Sequence, residues 1–275
     1  MLAWLFSPTC PCDVAAKTWV EQRLAWLAKE FHDSAFSGRR IVLPTHDFFP
    51  DPFDGTNKAV RLMLDRVCGY MDVDPYTVKL EFTDNANKLE FVNESGNRLP
   101  AGAAGTYQSI GDTTSNDQKY DRTNPFKGRR RAEYSLIRID KSELNNPMGL
   151  VGTIAHELSH ARLMGEGRIG SGAYDNELLT DLTTVHLGLG IFLANSPRNW
   201  DGQYTKWPKT DLLKPEYMTP PMFGWALAHL AWFRDEQKPS WARHLSSGAK
   251  ANLYQGLRYL SKTGDTTYQP RNDSM

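Results

Sequence analysis

Three cysteines in 275 residues are too few for a disulfide framework, so the expected setting is a reducing, cytoplasmic one. Neither sign of charge is in excess: 32 Lys and Arg face 32 Asp and Glu, a formal net charge of zero. That removes the electrostatic basis for a whole-surface binder of nucleic acid or anionic membrane. Apolar runs such as Leu187 to Ala194 fall far short of the roughly 20 residues that cross a bilayer. MLAWLFS at the start lacks a basic flank and is too short for a signal-peptide core. Repeats and low-complexity tracts are missing, which excludes solenoids and propellers. What is present, 40% hydrophobic and 23% charged residues, suits a globular enzyme or binding protein with a sizeable core.

The chain reads in three parts. Residues 1–75 form an N-terminal helical segment packed on the core. There the spacing of Trp19, Val20, Arg23, Leu24, Leu27 and Phe31 predicts an amphipathic helix from about Ala15, with Asp13 as N-cap. Ile41, Val42 and Leu43 predict a short strand, and Thr56 caps a second helix along Val60, Leu64, Val67 and Cys68. Residues 76–262 form the main domain. TVKLEF and KLEFV, parted by Asp84-Asn85-Ala86-Asn87, predict a hairpin. GTYQSI and AEYSLIRID predict two further strands, with an exposed loop from Gly111 to Arg131 between them. Helices are expected over Gly149–Met164, Tyr174–Asn195, about Pro221–Arg234 and about Gly248–Leu260. Residues 263–275 have almost nothing to bury and predict a frayed tail. A small, mostly antiparallel sheet followed by a helical C-terminal half is an α+β class.

The chemistry is concentrated in LVGTIAHELSHARLMG. His156, Glu157 and His160 make an H-E-x-x-H pattern on a segment of helical periodicity, which brings two imidazoles four residues apart onto one face. Leu150, Ile154 and Leu158 form the opposite, core-facing stripe. Glu157 is placed beside a metal without ligating it. A catalytic Zn²⁺ needs a third protein ligand, and two residues compete. Glu166 stands where the metzincin pattern HExxHxxGxxH has its third histidine, but Leu163 replaces the glycine of that pattern. Glu177 opens Asn176-Glu177-Leu178-Leu179-Thr180-Asp181.

This second segment resembles the N-E-x-x-S-D stretch of thermolysin-like gluzincins, with threonine in place of serine. The resemblance covers about residues 149–190. It implies a zincin-like fold, a zinc site on His156, His160 and Glu177, and Asp181 hydrogen-bonded to a zinc-binding histidine. Sixteen residues separate His160 from Glu177, so the return between them must be compact. Gly165, Gly167, Gly170 and Gly172 suit such a return. The implied activity is zinc-dependent hydrolysis of a peptide or protein substrate. The metal lowers the pKa of a bound water, and Glu157 takes its proton and passes it to the leaving amine. The family's oxyanion donor is a downstream histidine or tyrosine, for which Tyr217, His229 and Tyr174 are candidates. A zinc-binding protein that retains the site without cleaving is the alternative.

Other features carry less. Cys10, Cys12 and Cys68, with His46, are candidates for a Cys₃His structural zinc site, with free or buried thiols as the plain alternative. Lys127 to Arg131 is a basic run without interleaved aromatics and reads as a solvated loop. His186 lies nine residues from Glu177, on another helix face, and is expected to be structural.

Overall fold

A computed structural model describes residues 7–31, 38–84, 91–92, 98–99, 105–110, 134–196 and 204–269. The helices are α1 (Val14–Glu30), α2 (Asn57–Tyr70), α3 (Pro147–His160), α4 (Asn176–His186), α5 (Gly190–Asn195), α6 (Pro220–Phe233) and α7 (Ser247–Thr263). The strands are β1 (Val78–Thr83), β2 (Phe91–Val92), β3 (Arg98–Leu99), β4 (Gly105–Ile110), β5 (Tyr134–Asp140), β6 (Tyr204–Lys206) and β7 (Leu213–Pro215). Helices with a small sheet make this a mixed α/β chain, compatible with the α+β expectation. Among the described residues no helix is long and apolar enough to cross a membrane. The chain divides into two compact units, one of residues 45–174 and one of both chain ends, 1–44 with 175–275.

In the unit of residues 45–174, α2 starts where Thr56 accepts the Ala59 N–H, and it buries Val60, Met63, Leu64 and Val67. The main sheet has the order β1-β5-β4. β1 runs parallel to β5, whereas β4 runs antiparallel to it with Tyr107 opposite Ile137 and Gly105 opposite Ile139. The hairpin expected between TVKLEF and KLEFV falls largely outside the described residues, which leave out 85–90; among the described residues β1 takes β5 as its neighbour, and β2 pairs with β3. β5 offers Leu136, Ile137 and Ile139, each at most 4% exposed, and so gives β1 an apolar partner. The loop expected at 111–131, with its basic run, lies outside the described residues.

In the unit of the chain ends, α1 begins at Asp13, whose carboxylate accepts the Ala16 N–H at 2.9 Å. It buries Trp19, Val20, Leu24 and Leu27. The single helix expected over Tyr174–Asn195 is broken in two. Gly188, at φ +90°, turns the chain between α4 and α5, and a Cβ there would fall 2.3 Å from the Arg40 carbonyl oxygen. That carbonyl neighbours Ile41-Val42-Leu43, which is buried chain rather than a strand; Val42 donates one bond to the Gly188 carbonyl. The β6–β7 hairpin was not expected from the sequence, because its six residues are too few to show a period. The segment from 264 to 269, expected to be a free tail, is tied down. Thr267 donates twice to the Glu21 carboxylate, and Thr266 bonds the His229 ring. These are polar tethers, which an apolar-periodicity reading does not register.

Candidate metal centre

α3 is fixed at its start by Pro147 and by the Asn146 side chain, which accepts the Gly149 N–H at 3.0 Å. Every residue from Gly149 to His160 is buried, so the helix has no exposed face. Leu150, Ile154 and Leu158 are fully buried in the expected stripe. His156 and His160, one turn apart, are 1% and 5% exposed, with ring centroids 4.8 Å apart and planes at 86°. Beyond His160 the helix widens into one π turn over Ala161–Gly165, closed by the Glu166 N–H on the Ala161 carbonyl at 3.0 Å. Such turns recur at functional sites. The sheet supports the same face: Tyr107 stacks on His160 at 5.8 Å, and burial pushes its hydroxyl pKa up.

Glu157 is 3% exposed and lies against the start of β4. A Cβ at position 105 would sit 3.0 Å from the Glu157 carboxylate oxygen and 2.7 Å from the Thr153 methyl, so only glycine lets the strand approach this closely. Glu177 stands in the first turn of α4 and is half-buried. One donor atom from each of His156, His160 and Glu177 lies within 4.8 Å of the others, the one such cluster among the described residues. A tetrahedral ion with bonds of about 2.1 Å holds its donors roughly 3.4 Å apart. Two neutral imidazoles and a carboxylate are also the donor chemistry that catalytic zinc takes.

No family model, curated protein or solved structure matches this chain. The functional reading therefore stands on the geometry and on the two motifs.

The remaining expected site residues separate cleanly. Glu166 is paired with Arg162 at 3.2 Å and Arg168 at 2.7 Å, so its charge is already matched, and it is not in the donor cluster. Asp181, 2% exposed, accepts the Met218 N–H at 2.9 Å and so holds the segment that carries Tyr217. Tyr217 is half-buried and lines a shallow depression with Asp181, Met218 and Phe223. Tyr174 is 51% exposed. Of the Cys₃His candidates, Cys10 and Cys12 belong to one unit and His46 and Cys68 to the other; the Cys12 thiol bonds Cys10 and lowers its pKa, while burial pushes Cys68 up to about 12. His186 is buried with its ring 5.7 Å from Phe31, as a structural residue would be.

His229 is a correction. It is fully buried, its Nδ1 is bonded to the Trp225 carbonyl at 3.0 Å and its Nε2 to Thr266 at 2.9 Å. Trp225, Phe233 and Tyr268 surround the ring, so neither nitrogen can reach a substrate. The aromatic spacing of α6 makes a core, and His229 belongs to it. Burial lowers its pKa to about 4, against a smaller opposing pull from Glu21. The unfolded chain therefore takes up this proton near pH 6.5, well before the folded one does. The stabilisation is complete above pH 6.5 and falls by about 3 kcal/mol as pH drops to 4. Thermal midpoints across that window should fall more steeply for the parent than for His229→Leu; equal slopes would refute this.

Sequence reasoning missed three features around Glu177. Asp175 is fully buried and accepts from Trp19 at 2.7 Å and twice from Arg23, at 2.7 and 2.9 Å. Lys214 is 7% exposed and has its pKa lowered by desolvation. Glu216 has its pKa raised, first by desolvation and then by the Glu177 charge. The only signal for the last two is the alternation of KPEY, which four residues cannot distinguish from a loop.

Proposed function

We propose that this protein is a zinc-dependent peptide-bond hydrolase of zincin-like, gluzincin type. The observation that carries the proposal is the cluster of His156, His160 and Glu177 donors, with Glu157 next to His156 on the same buried helix. Zinc, when bound by these three residues, supplies the Lewis acidity that activates water near neutral pH and polarises a carbonyl. Glu157 takes the proton from the attacking water and delivers it to the departing nitrogen, so the C–N bond breaks as the C–O bond forms. Tyr107 keeps the His160 ring in plane by stacking on it. Asp181 steadies the backbone beside Tyr217, one of the expected donors for the oxyanion.

The sheet supports a peptide over other amides. Among the described residues β4 is an edge strand of the β1-β5-β4 sheet, so one side of its backbone is unpaired among them. An extended peptide can pair with such an edge through its main chain. Gly105, at the start of β4, abuts Glu157, so a chain laid along β4 passes the base.

Zinc stoichiometry and cleavage of a mixed peptide library test the proposal. The parent protein should hold a single zinc and cleave. The His156→Ala/His160→Ala variant should lose both zinc and cleavage. A zinc-loaded parent that cleaves no peptide would favour the non-catalytic binding role, and Glu177→Gln with undiminished zinc affinity would remove the gluzincin assignment.

A further inference from the structure

Cys10 and Cys12 have no part in the chemistry above, yet they are neighbours in space as well as in sequence. All three cysteines are free, and these two are both half-buried, so a reagent can reach them. Residues two apart stand at most roughly 7 Å apart between Cα atoms. The chain bends at Pro11 and Cys12, which shortens that span towards the range of about 4.4–6.8 Å in which a disulfide closes. The Cys12 thiol donates to the Cys10 sulfur, and the Cys12 backbone N–H donates to it as well. The two sulfurs therefore already face each other.

The surroundings hold this arrangement in place. The Gln255 amide of α7 donates to the Thr9 carbonyl at 3.3 Å, to the Thr9 hydroxyl at 3.2 Å and to the Cys10 carbonyl at 3.5 Å. The Pro11 ring lies over Gly256, where an added Cβ would meet it at 3.5 Å. Directly after Cys12, Asp13 caps α1. All of these residues belong to the unit of the chain ends. The backbone is thus anchored on both sides of the pair, and the side chains are what can move. The two thiols are also unequal. The bonds from Cys12 hold the Cys10 thiol below its ordinary pKa against the pull of burial, while the same contact, reinforced by burial, pushes Cys12 up. Cys10 is the sulfur that ionises and attacks, and Cys12 keeps its proton. Cys68 takes no part: it lies fully buried in the other unit, and burial keeps its thiol protonated.

We infer that Cys10 and Cys12 form a thiol–disulfide exchange site, with Cys10 as the attacking sulfur and Cys12 as the resolving one. The co-reactant is a low-molecular-weight disulfide. The inference stands independently of the hydrolase reading, since neither cysteine is a metal donor. The Cys10 thiolate attacks one sulfur of the co-reactant, whose S–S bond breaks and releases one thiolate, which takes up the proton lost by Cys10. The mixed disulfide on Cys10 carries no charge, so Cys12 loses the acceptor that held its proton. Its thiolate then attacks the Cys10 sulfur and expels the second small thiolate, which takes the Cys12 proton. Two protein thiols are oxidised to one disulfide, and the co-reactant is reduced to two thiols. A ring closed across a single intervening proline is tight, so excess small thiol should reopen it.

The test treats the full-length protein with oxidised glutathione, quenches with acid at intervals and maps the sulfurs by mass spectrometry. The first adduct should be glutathione on Cys10, followed by a Cys10–Cys12 disulfide, with Cys68 still a free thiol. Excess reduced glutathione should restore both thiols. Cys12→Ser should stop at the mixed disulfide on Cys10, and Cys10→Ser should slow glutathione uptake at least about 10-fold. A synthetic peptide of residues 7–16 should react at least about 3-fold more slowly than the folded protein. Stable glutathione on both sulfurs, a disulfide between two copies, no reaction, or a bond that excess reduced glutathione does not open would each overturn the inference. So would equal rates for the peptide and the protein, since the fold would then contribute nothing. If Cys10→Ser does not fold, the position of the first adduct in the parent and the peptide comparison decide.

Discussion

Replacing Glu157 with glutamine should cut hydrolysis about 10²- to 10⁴-fold, the usual contribution of a general base, while zinc stays bound. Glu157 is outside the donor cluster, so the ligands are untouched. The substitution is isosteric, which matters at a residue only 3% exposed that lies against Gly105. The three readouts are zinc stoichiometry, thermal midpoint and rate, taken on one preparation. Loss of zinc along with activity would make Glu157 a ligand or a structural group. Full activity on a cleaved substrate would mean that the water is deprotonated elsewhere, and the mechanism would have to be abandoned.

The largest effect on stability is expected at Asp175. Its side chain is fully buried, and both oxygens are committed to α1, through the Trp19 indole N–H and the Arg23 guanidinium. Asp175→Ala strands both donors. Removing one member of a buried ion pair typically costs about 3–5 kcal/mol. The Arg23 side chain is 23% exposed and regains some water, so about 2–4 kcal/mol is expected here. Urea titration of parent and variant gives the difference directly, and a loss below about 1 kcal/mol would show that α1 is held by its apolar face alone. Because Glu177 is only two residues on, in the first turn of α4, the variant should also bind zinc more weakly.

The donor set was legible from the sequence because its information is local. H-E-x-x-H depends on one helical turn, and N-E-x-x-T-D on another. Helix starts were legible for the same reason: Asp13 and Thr56 cap what they were expected to cap. The fold around them was less so. That β1 pairs with β5 depends on a distant apolar surface, which the local sequence does not show. His229 has the residue type and position of a catalytic donor, but its burial depends on Trp225, Phe233 and Tyr268 arriving from α6 and from beyond α7. Lys214 and Glu216 acquire meaning only from the carboxylate at 177, which is 37 residues away from the first of them. The break at Gly188 was visible as a glycine but not as a turn, because the apolar periodicity continues on both sides.

The two-piece make-up of the chain-end unit sets a timetable for biosynthesis. α1 leaves the ribosome well before Asp175, which takes the Trp19 and Arg23 hydrogen bonds from 156 and 152 residues later. At translation rates of about 5–20 residues per second, that is a wait of roughly 7–30 s. Throughout it, a 17-residue helix that is marginal alone displays Trp19, Val20, Leu24 and Leu27 to the cytosol or to whatever compartment receives it. Residues 45–174 are all made within that interval. The nascent chain thus carries a sticky, unsatisfied helix while residues 45–174 are being synthesised. Slowing elongation lengthens that exposure and should raise the demand for chaperones that shield apolar helices.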